Sequence, residues 1–308
     1  MNTEYHIPVM LKECLDGLNI NPDGVYVDVT FGGGGHSKAI LERLSDKGRL
    51  IAFDQDEDAL DNLWEDERLI FVNQNFRHIK RFLKLHGYKK VDGILADLGV
   101  SSHQLDEAER GFSYRFEASL DMRMNQNDLK TAAEILNTYE ADELQRIFGM
   151  YGEVKNSKTL AELIVSERDI RPIENINQFL GILAPVVRGK RPRYLSQVFQ
   201  ALRIEVNEEM EALEEFLTST LDVLAVGGRL VAMSYHSLED RLVKNFTKRG
   251  NLEGKMIKDD FGKIYKPFKL INRKIIEVSA EELKINSRAR SAKLRVAERM
   301  EDNIVIKN

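Results

Sequence analysis

The sequence has one cysteine, no long apolar run and little net charge, and each scarcity excludes a class of protein. A single thiol, Cys14, cannot form an internal disulfide or a cysteine-cluster zinc site, and its amphipathic surroundings predict a small buried apolar residue. No stretch approaches the apolar length that spans a bilayer, so we expect no membrane partner. Residues 1–6 lack the basic region and apolar core of a signal peptide, which predicts a cytoplasmic protein.

The net charge of −5 is unlike that of a typical nucleic-acid-binding domain, but the charges are segregated. Residues 188–193 form a compact basic cluster, and residues 241–295 also carry an excess of lysine and arginine. A charge run is usually a solvated surface. Two basic zones on an acidic protein therefore favour a polyanionic partner only modestly.

The most informative stretch is a run of four glycines, Gly32–Gly35, between two regular segments. The valine-rich residues 25–29 predict a buried strand before the run, and residues 38–44 predict a helix after it. Glycine leaves φ unrestricted, so the backbone here can approach a ligand closely, and the N–H groups of the following helix point at that ligand. The run therefore predicts a small-molecule cradle in an α/β sheet.

The spacing of these glycines argues against a dinucleotide. A G-x-G-x-x-G motif counted from Gly32 needs glycine at its sixth position, which is Ser37. The next apolar segment, 49–53, is followed by Asp54, an acidic residue that can accept hydrogen bonds from both ribose hydroxyls. NAD-dependent oxidoreductases and S-adenosylmethionine-dependent methyltransferases share this arrangement, so Asp54 alone leaves both classes open.

Strands and helices alternate through the first hundred residues, which predicts a parallel sheet with right-handed crossovers. Ligands of such sheets bind beyond the carboxyl ends of the strands, where Gly32–Gly35, Asp54 and Asp97 fall. The predicted strands are 25–29, 49–53, 69–73 and 91–96, and the predicted helices are 38–44, 59–64 and 79–85.

The alternation stops at about residue 105, and helical periodicity dominates as far as about 206. A helix predicted over 207–225 then leads to a Gly227–Gly228 turn, a strand over 229–235, a helix from about Leu238 and an antiparallel strand near 292–297. A helix that ends in Leu-x-x-Gly-Gly-Arg before an apolar strand is common in methyltransferase sheets. We therefore predict a Rossmann-like methyltransferase domain, 1–105 with 207–308, and an inserted all-helical substrate-recognition subdomain, 106–206.

Five segments give the chain a resemblance to a known family. The segments are VDVTFGGGGHS (27–37), DGILADLGVSSHQLD (92–106), RGFS (110–113) with LDMRM (120–124), FQALRIEVN (199–207), and YHSLEDR (235–241) with SRARSAKLR (287–295). Through them the chain resembles, nearly end to end, the bacterial RsmH (MraW) family of S-adenosylmethionine-dependent methyltransferases that act on cytosine N4 in small-subunit ribosomal RNA.

The resemblance implies methylation of the N4 amine of a decoding-centre (P-site) cytidine in 16S rRNA, with the small ribosomal subunit as partner. It implies no metal and leaves a homodimer open. The implied cofactor-binding residues are Gly34, Gly35, His36, Asp54, Phe76, Asp97 and Gln104. Simpler roles compete for three of these: His36 could cap a helix, Phe76 could belong to the core, and Gln104 could only order its loop.

Candidate catalytic residues follow from the chemistry of the amine. Other amino-methyltransferases carry an Asp/Asn/Ser-Pro-Pro-aromatic motif after the fourth strand, whereas this chain has Asp97-Leu98-Gly99-Val100. We hypothesise that Asp97 or backbone carbonyls near Leu98 accept protons from N4, with Tyr235 and His236 close to the base. The candidate phosphate contacts, which would position RNA without reading its sequence, are Arg188, Lys190, Arg191 and Arg193.

The chain departs from the family pattern in three places: His103 replaces a common proline, Tyr235 a common phenylalanine, and Leu195-Ser196-Gln197 a more basic stretch. Three other functions remain open at this point. They are an NAD-dependent oxidoreductase, a methyltransferase acting on DNA or protein, and a cofactor-sensing or ribosome-assembly protein without turnover, because a fold does not define the acceptor.

Overall fold

The computed structural model describes residues 8–302, so the prediction drawn from residues 1–6 lies outside the described part of the chain. The chain divides into two compact units, Met1–Gly99 with Glu211–Asn308, and Val100–Met210. The boundaries predicted from the sequence, 105/106 and 206/207, stand beside divisions at 99/100 and 210/211. Among residues 8–302, no helix has the length and apolar character needed to cross a membrane.

The first unit is built on one eight-stranded sheet in the order β3-β2-β1-β4-β5-β8-β6, with β7 paired to β8. The first five strands in this order pair in parallel, whereas β8 runs antiparallel to β5, β6 and β7. The strands are β1 Val25–Asp28, β2 Arg49–Phe53, β3 Leu69–Val72, β4 Val91–Asp97, β5 Leu224–Ser234, β6 Phe268–Leu270, β7 Ile276–Glu277 and β8 Lys293–Arg299.

Helices pack on this sheet through apolar faces, as α1 illustrates. Cys14, Leu15 and Leu18 are buried on one side of α1 in a cluster that includes Val231 and Val296 of the sheet. Cys14 is buried, which confirms the small buried apolar residue expected from the sequence, and burial raises the pKa of its thiol. The helices are α1 Leu11–Leu18, α2 Gly35–Leu41, α3 Ile79–Leu85, α10 Glu209–Val223, α11 Ser237–Arg249 and α12 Ala280–Ile285.

The second unit contains helices and no named strand among its described residues. The β pairing within those residues is an isolated bridge between Ser119 and Asn175, so the absence of strands predicted for this region is confirmed. The helices are α4 Ser102–Asp106, α5 Ala132–Thr138, α6 Ala141–Met150, α7 Ser157–Arg168, α8 Ile176–Leu183 and α9 Arg191–Asn207.

Three predicted elements are wrong in detail. The helix expected at 38–44 begins three residues earlier because Gly34, at φ 73°, forms its N-cap. The helix expected at 59–64 is a 3₁₀ helix, Glu57–Asn62, which begins at the capping side chain of Asp56. The Gly227–Gly228 turn lies inside β5, where the pairing with β4 is interrupted and Gly227 has φ 85°.

Close packing at Gly93 on β4 gives a test of this core. We expect Gly93→Ala to destabilise the first unit, because a Cβ there would lie 2.8 Å from ring atoms of Tyr26 and 3.1 Å from Leu18. Overpacking of this kind costs roughly 1–3 kcal/mol and should lower the midpoint of thermal unfolding followed by circular dichroism. Gly181→Ala, whose Cβ would meet no atom within 4 Å, is the control and should not lower the midpoint. Equal midpoints for Gly93→Ala and wild type would contradict this packing.

Candidate active site

The glycine run connects β1 to α2, and the buried carboxylate of Asp28 holds both ends of it. Asp28 accepts hydrogen bonds from the Ser37 hydroxyl at 2.8 Å and from the Thr30 backbone N–H at 3.1 Å. A Cβ on Gly34 would lie 2.7 Å from Trp64, so a larger residue would disturb the packing behind the loop. A Cβ on Gly32 or Gly33 would meet no atom within 4 Å. The loop is therefore tightly packed at Gly34 and open at Gly32 and Gly33.

Asp54, at the end of β2, is bonded directly to this loop. Its Oδ2 accepts from the Gly32 N–H at 2.7 Å, and its Oδ1 accepts from the Asp56 N–H at 2.9 Å. Burial raises the pKa of Asp54 to about 6, although the two N–H donors oppose that rise. Each oxygen can accept a second hydrogen bond, which two adjacent ribose hydroxyls would supply.

Asp97, at the end of β4, lies between two side chains named from the sequence. The Tyr235 hydroxyl donates to Asp97 Oδ1 at 2.8 Å, and His36 Nδ1 lies 3.8 Å from Oδ2. The Asp97 backbone N–H donates to Thr30 Oγ1 at 2.8 Å, which fixes the strand end against the glycine loop. Burial raises the pKa of Asp97 to about 6, against the opposing effects of His36 and Tyr235. The structure thus brings His36, Asp97 and Tyr235 together.

His36 and Phe76 each have a structural partner. His36 is buried, and its Nε2 lies 3.1 Å from the Val9 carbonyl oxygen, whereas Gly34 occupies the N-cap of α2. Phe76 begins a short 3₁₀ turn and packs edge-on against Phe216, with 5.3 Å between ring centroids. Phe76 is only partly buried, so one part of its ring remains accessible.

Glu239, near the start of α11, is a site residue that was not singled out from the sequence. Its Oε2 accepts from the backbone N–H groups of Tyr235 at 2.8 Å and His236 at 3.2 Å. The His236 Nε2 lies 3.1 Å from Glu239 Oε1. This buried carboxylate therefore holds the segment that carries Tyr235 and His236. A glutamate three residues after His236, at the start of a helical pattern, was the available signal.

The remaining named residues belong to the second unit. Gln104 is buried and closes a capping box with Ser101 at the start of α4, which supports a role in ordering its own loop. The cations Arg188, Lys190, Arg191 and Arg193 are exposed around the N-terminus of α9, which has no acidic residue in its first turn. The helix dipole and these side chains together make this surface strongly attractive to anions.

The site fits a nucleoside ligand that carries no pyrophosphate. The open backbone at Gly32 and Gly33 allows close approach, and Asp54 beside it presents an acceptor for ribose hydroxyls. A dinucleotide-binding sheet has six parallel strands, whereas here the antiparallel β8 lies beside β5. This sheet, with acidic residues after β2 and β4, defines an S-adenosylmethionine-dependent methyltransferase.

Comparison with known proteins narrows the class. The model of the MraW methylase family matches residues 3–300. Two relatives named ribosomal RNA small subunit methyltransferase H are each 57% identical to the chain. The one from Christiangramia forsetii aligns over 96% of this chain and 98% of its own length, and the one from Flavobacterium psychrophilum over 94% and 100%. The chain belongs to the MraW methylase family, so the oxidoreductase alternative is excluded.

The raised pKa of Asp97 predicts how Asp97→Asn changes stability with pH. Between pH 4 and 6 the unfolded chain releases this proton first, because its pKa is near 3.8 against about 6 in the folded protein. Asp97 therefore lowers the free energy of unfolding of the wild type as pH rises through this range. Asparagine does not titrate, so Asp97→Asn lacks this pH-dependent loss of stability. We expect the free energy of unfolding of the variant, relative to wild type, to increase by up to about 3 kcal/mol from pH 4 to pH 7. Urea unfolding at several pH values measures it, and a difference independent of pH would contradict the raised pKa.

Proposed function

We propose that this protein transfers the methyl group of S-adenosylmethionine to the N4 amine of a decoding-centre (P-site) cytidine in 16S rRNA, in the small ribosomal subunit and in the cytoplasm. The hydrogen bond between Tyr235 and the partly buried Asp97 is the observation that carries the proposal. It puts an oriented proton acceptor at the carboxyl edge of the sheet, beside the glycine loop. The family and the printed names of the relatives support a ribosomal RNA acceptor.

S-adenosylmethionine supplies an electrophilic methyl carbon attached to a positively charged sulfur. Most of the residues proposed to hold it belong to the first unit, at the glycine loop and at the ends of β2 and β4, and Gln104 belongs to the second unit. Asp54 would accept from ribose hydroxyls, since each of its oxygens retains acceptor capacity. The full proposed set is Gly34, Gly35, His36, Asp54, Phe76, Asp97 and Gln104.

Asp97 would compensate for the weak nucleophilicity of the cytosine amine. The N4 lone pair of cytosine is delocalised into the ring, so this amine is a weak nucleophile. An acceptor for its protons favours the pyramidal nitrogen that attacks the methyl carbon. With a pKa of about 6, Asp97 is mostly ionised at neutral pH and can accept, and the backbone carbonyl of Leu98 is a second candidate acceptor.

Tyr235 and His236 would position the base that presents this amine. Glu239 fixes their backbone, and the Tyr235 hydroxyl is committed to Asp97. Alignment of nitrogen, methyl carbon and sulfur contributes to rate through positioning. The target base must leave its stack to reach such a site, which costs least in single-stranded or splayed RNA.

The exposed cations at the start of α9 would hold the RNA backbone. Four positive side chains at a helix N-terminus repel the helix dipole, so they do not serve the stability of α9. Phosphate groups would relieve this repulsion while carrying no sequence information. The residues are Arg188, Lys190, Arg191 and Arg193.

Asp97→Asn tests the catalytic role. An amide keeps the shape of the side chain but cannot take up negative charge, so we expect kcat to fall roughly 10²- to 10⁴-fold. The assay is methyl transfer to small subunits that lack the modification, with the product nucleoside identified by mass spectrometry.

Asp92→Asn is the matched control for this test. Asp92 lies at the opposite end of β4, where it accepts a hydrogen bond from the Val25 N–H at 2.8 Å, and asparagine can do the same. We expect wild-type turnover from this variant. Full turnover by Asp97→Asn would refute the role of Asp97. Methylation of DNA or protein by the wild-type enzyme would favour a methyltransferase with another acceptor. No methylation of naked RNA or of small subunits would favour a factor without turnover.

Replacing the four α9 cations by glutamine tests the RNA surface. We expect weaker RNA binding and a shallower dependence of log affinity on log salt, by roughly 0.7 for each single-strand phosphate that the variant no longer neutralises. Affinity for S-adenosylmethionine should not change. Filter binding at several salt concentrations measures the slope, and an unchanged slope would assign the RNA to another surface.

A further inference from the structure

A cavity of about 250 Å³ in the first unit adjoins the segment that carries Tyr235 and His236. Five elements contribute to its walls: the start of α11, the strands β7 and β8, the helix α12, and the 3₁₀ turn Ser287–Ser291 that precedes β8. The polar groups that line it include Ser237, Arg290, Ser291 and Lys293. None of these four was assigned a role from the sequence.

The cavity is predominantly basic. Arg290 and Lys293 line it together with a single carboxylate, Glu277. Lys293 lies 4.0 Å from Asp240, but Arg295 makes the closer contact with that carboxylate at 2.8 Å. Asp240 therefore pairs mainly with Arg295, and Lys293 makes only a long contact with its other oxygen. The walls together favour an anion.

The turn that presents Arg290 is well anchored. Its neighbour Ala289 is fully buried, Ala292 is nearly so, and the Asn286 side chain caps the turn by accepting from the Arg288 N–H. Arg290 itself is exposed. A fixed backbone with an exposed cation suits contact with a ligand and contributes little to the core.

We propose that this cavity is a phosphate subsite for the RNA, in which Arg290 and Lys293 hold a backbone phosphate of the nucleotide whose base is methylated. This inference rests on the proposed function. Tyr235 links the two sites, because its side chain lines the cavity and its hydroxyl donates to Asp97. A nucleotide turned out of its stack carries its own phosphates into the protein. Cations that line a cavity together with Tyr235 suit such a phosphate.

The size of the cavity limits its occupant. Sites for drug-sized ligands typically measure roughly 300–1,000 Å³, so about 250 Å³ accommodates part of one nucleotide and not a whole cofactor. Serine hydroxyls at Ser237 and Ser291 can donate to phosphate oxygens without selecting a base. The subsite would thus fix the position of the target nucleotide, while recognition of cytosine would lie with other groups.

Arg290→Gln and the double variant Arg290→Gln with Lys293→Gln test the subsite. We expect KM for small subunits to rise severalfold and the salt slope of RNA binding to fall by roughly 0.7 for each cation removed, if each contacts one single-strand phosphate. Affinity for S-adenosylmethionine, measured by calorimetry, should equal that of wild type. Lys284→Gln is the control, because Lys284 is an exposed cation on α12 outside the cavity lining and should retain the wild-type slope.

Two outcomes would overturn the subsite. One is an unchanged KM and salt slope in both variants, and the other is loss of S-adenosylmethionine affinity with an unchanged RNA slope. Arg290→Glu is a stronger variant for the case in which Arg290→Gln raises KM too little to measure. Reversing the charge at this exposed position should raise KM for small subunits further without loss of folding. Wild-type protein that fails to methylate any RNA would instead overturn the proposed function, so the two failures are distinguishable.

Discussion

The partly buried carboxylate of Asp97 is the constraint on which the rest of the site depends. The Asp97 backbone N–H donates to Thr30 beside the glycine loop. Its carboxylate accepts from Tyr235 just before α11 and lies 3.8 Å from His36 at the start of α2. A carboxylate taken from water needs such partners, and without them burial would raise its pKa further. The partners also fix its orientation, which an acceptor for a weakly nucleophilic amine requires. Stability and chemistry here rest on the same contacts.

Local patterns were sufficient to predict most of the sheet. The bounds of β2 and α3 match the expected segments, because an apolar run and a 3.6-residue period are signals carried by neighbouring residues. The antiparallel β8 and the helical second unit were also expected. The short strands β6 and β7 were not, since segments of two or three residues form no period. They depend on distant contacts: both pair with β8, and Phe268 of β6 also packs against Phe246 of α11.

The sequence identified most residues of the site but did not predict which of their side chains contact each other. Asp97 and Tyr235 are separated by 138 positions, and no local pattern indicates that their side chains meet. The bond exists because β4 and β5 are adjacent and parallel, which brings their carboxyl ends to one edge. Family resemblance identified the residues, whereas the pairing and the supporting role of Glu239 required the fold. The cavity beside them likewise forms from segments distant in sequence.

Electrostatics around the glycine loop argue for the ligand independently of glycine spacing. Asp28 raises the pKa of both Asp54 and Asp97 through charge repulsion, so three carboxylates share one neighbourhood. A pyrophosphate brought to this loop would add to the repulsion, and the helix N-terminus of α2 alone would have to offset it. A ligand that carries positive charge would instead relieve the repulsion and favour the ionised carboxylates. The missing glycine at Ser37 and the presence of these acids therefore argue against a dinucleotide on separate grounds, one steric and one electrostatic.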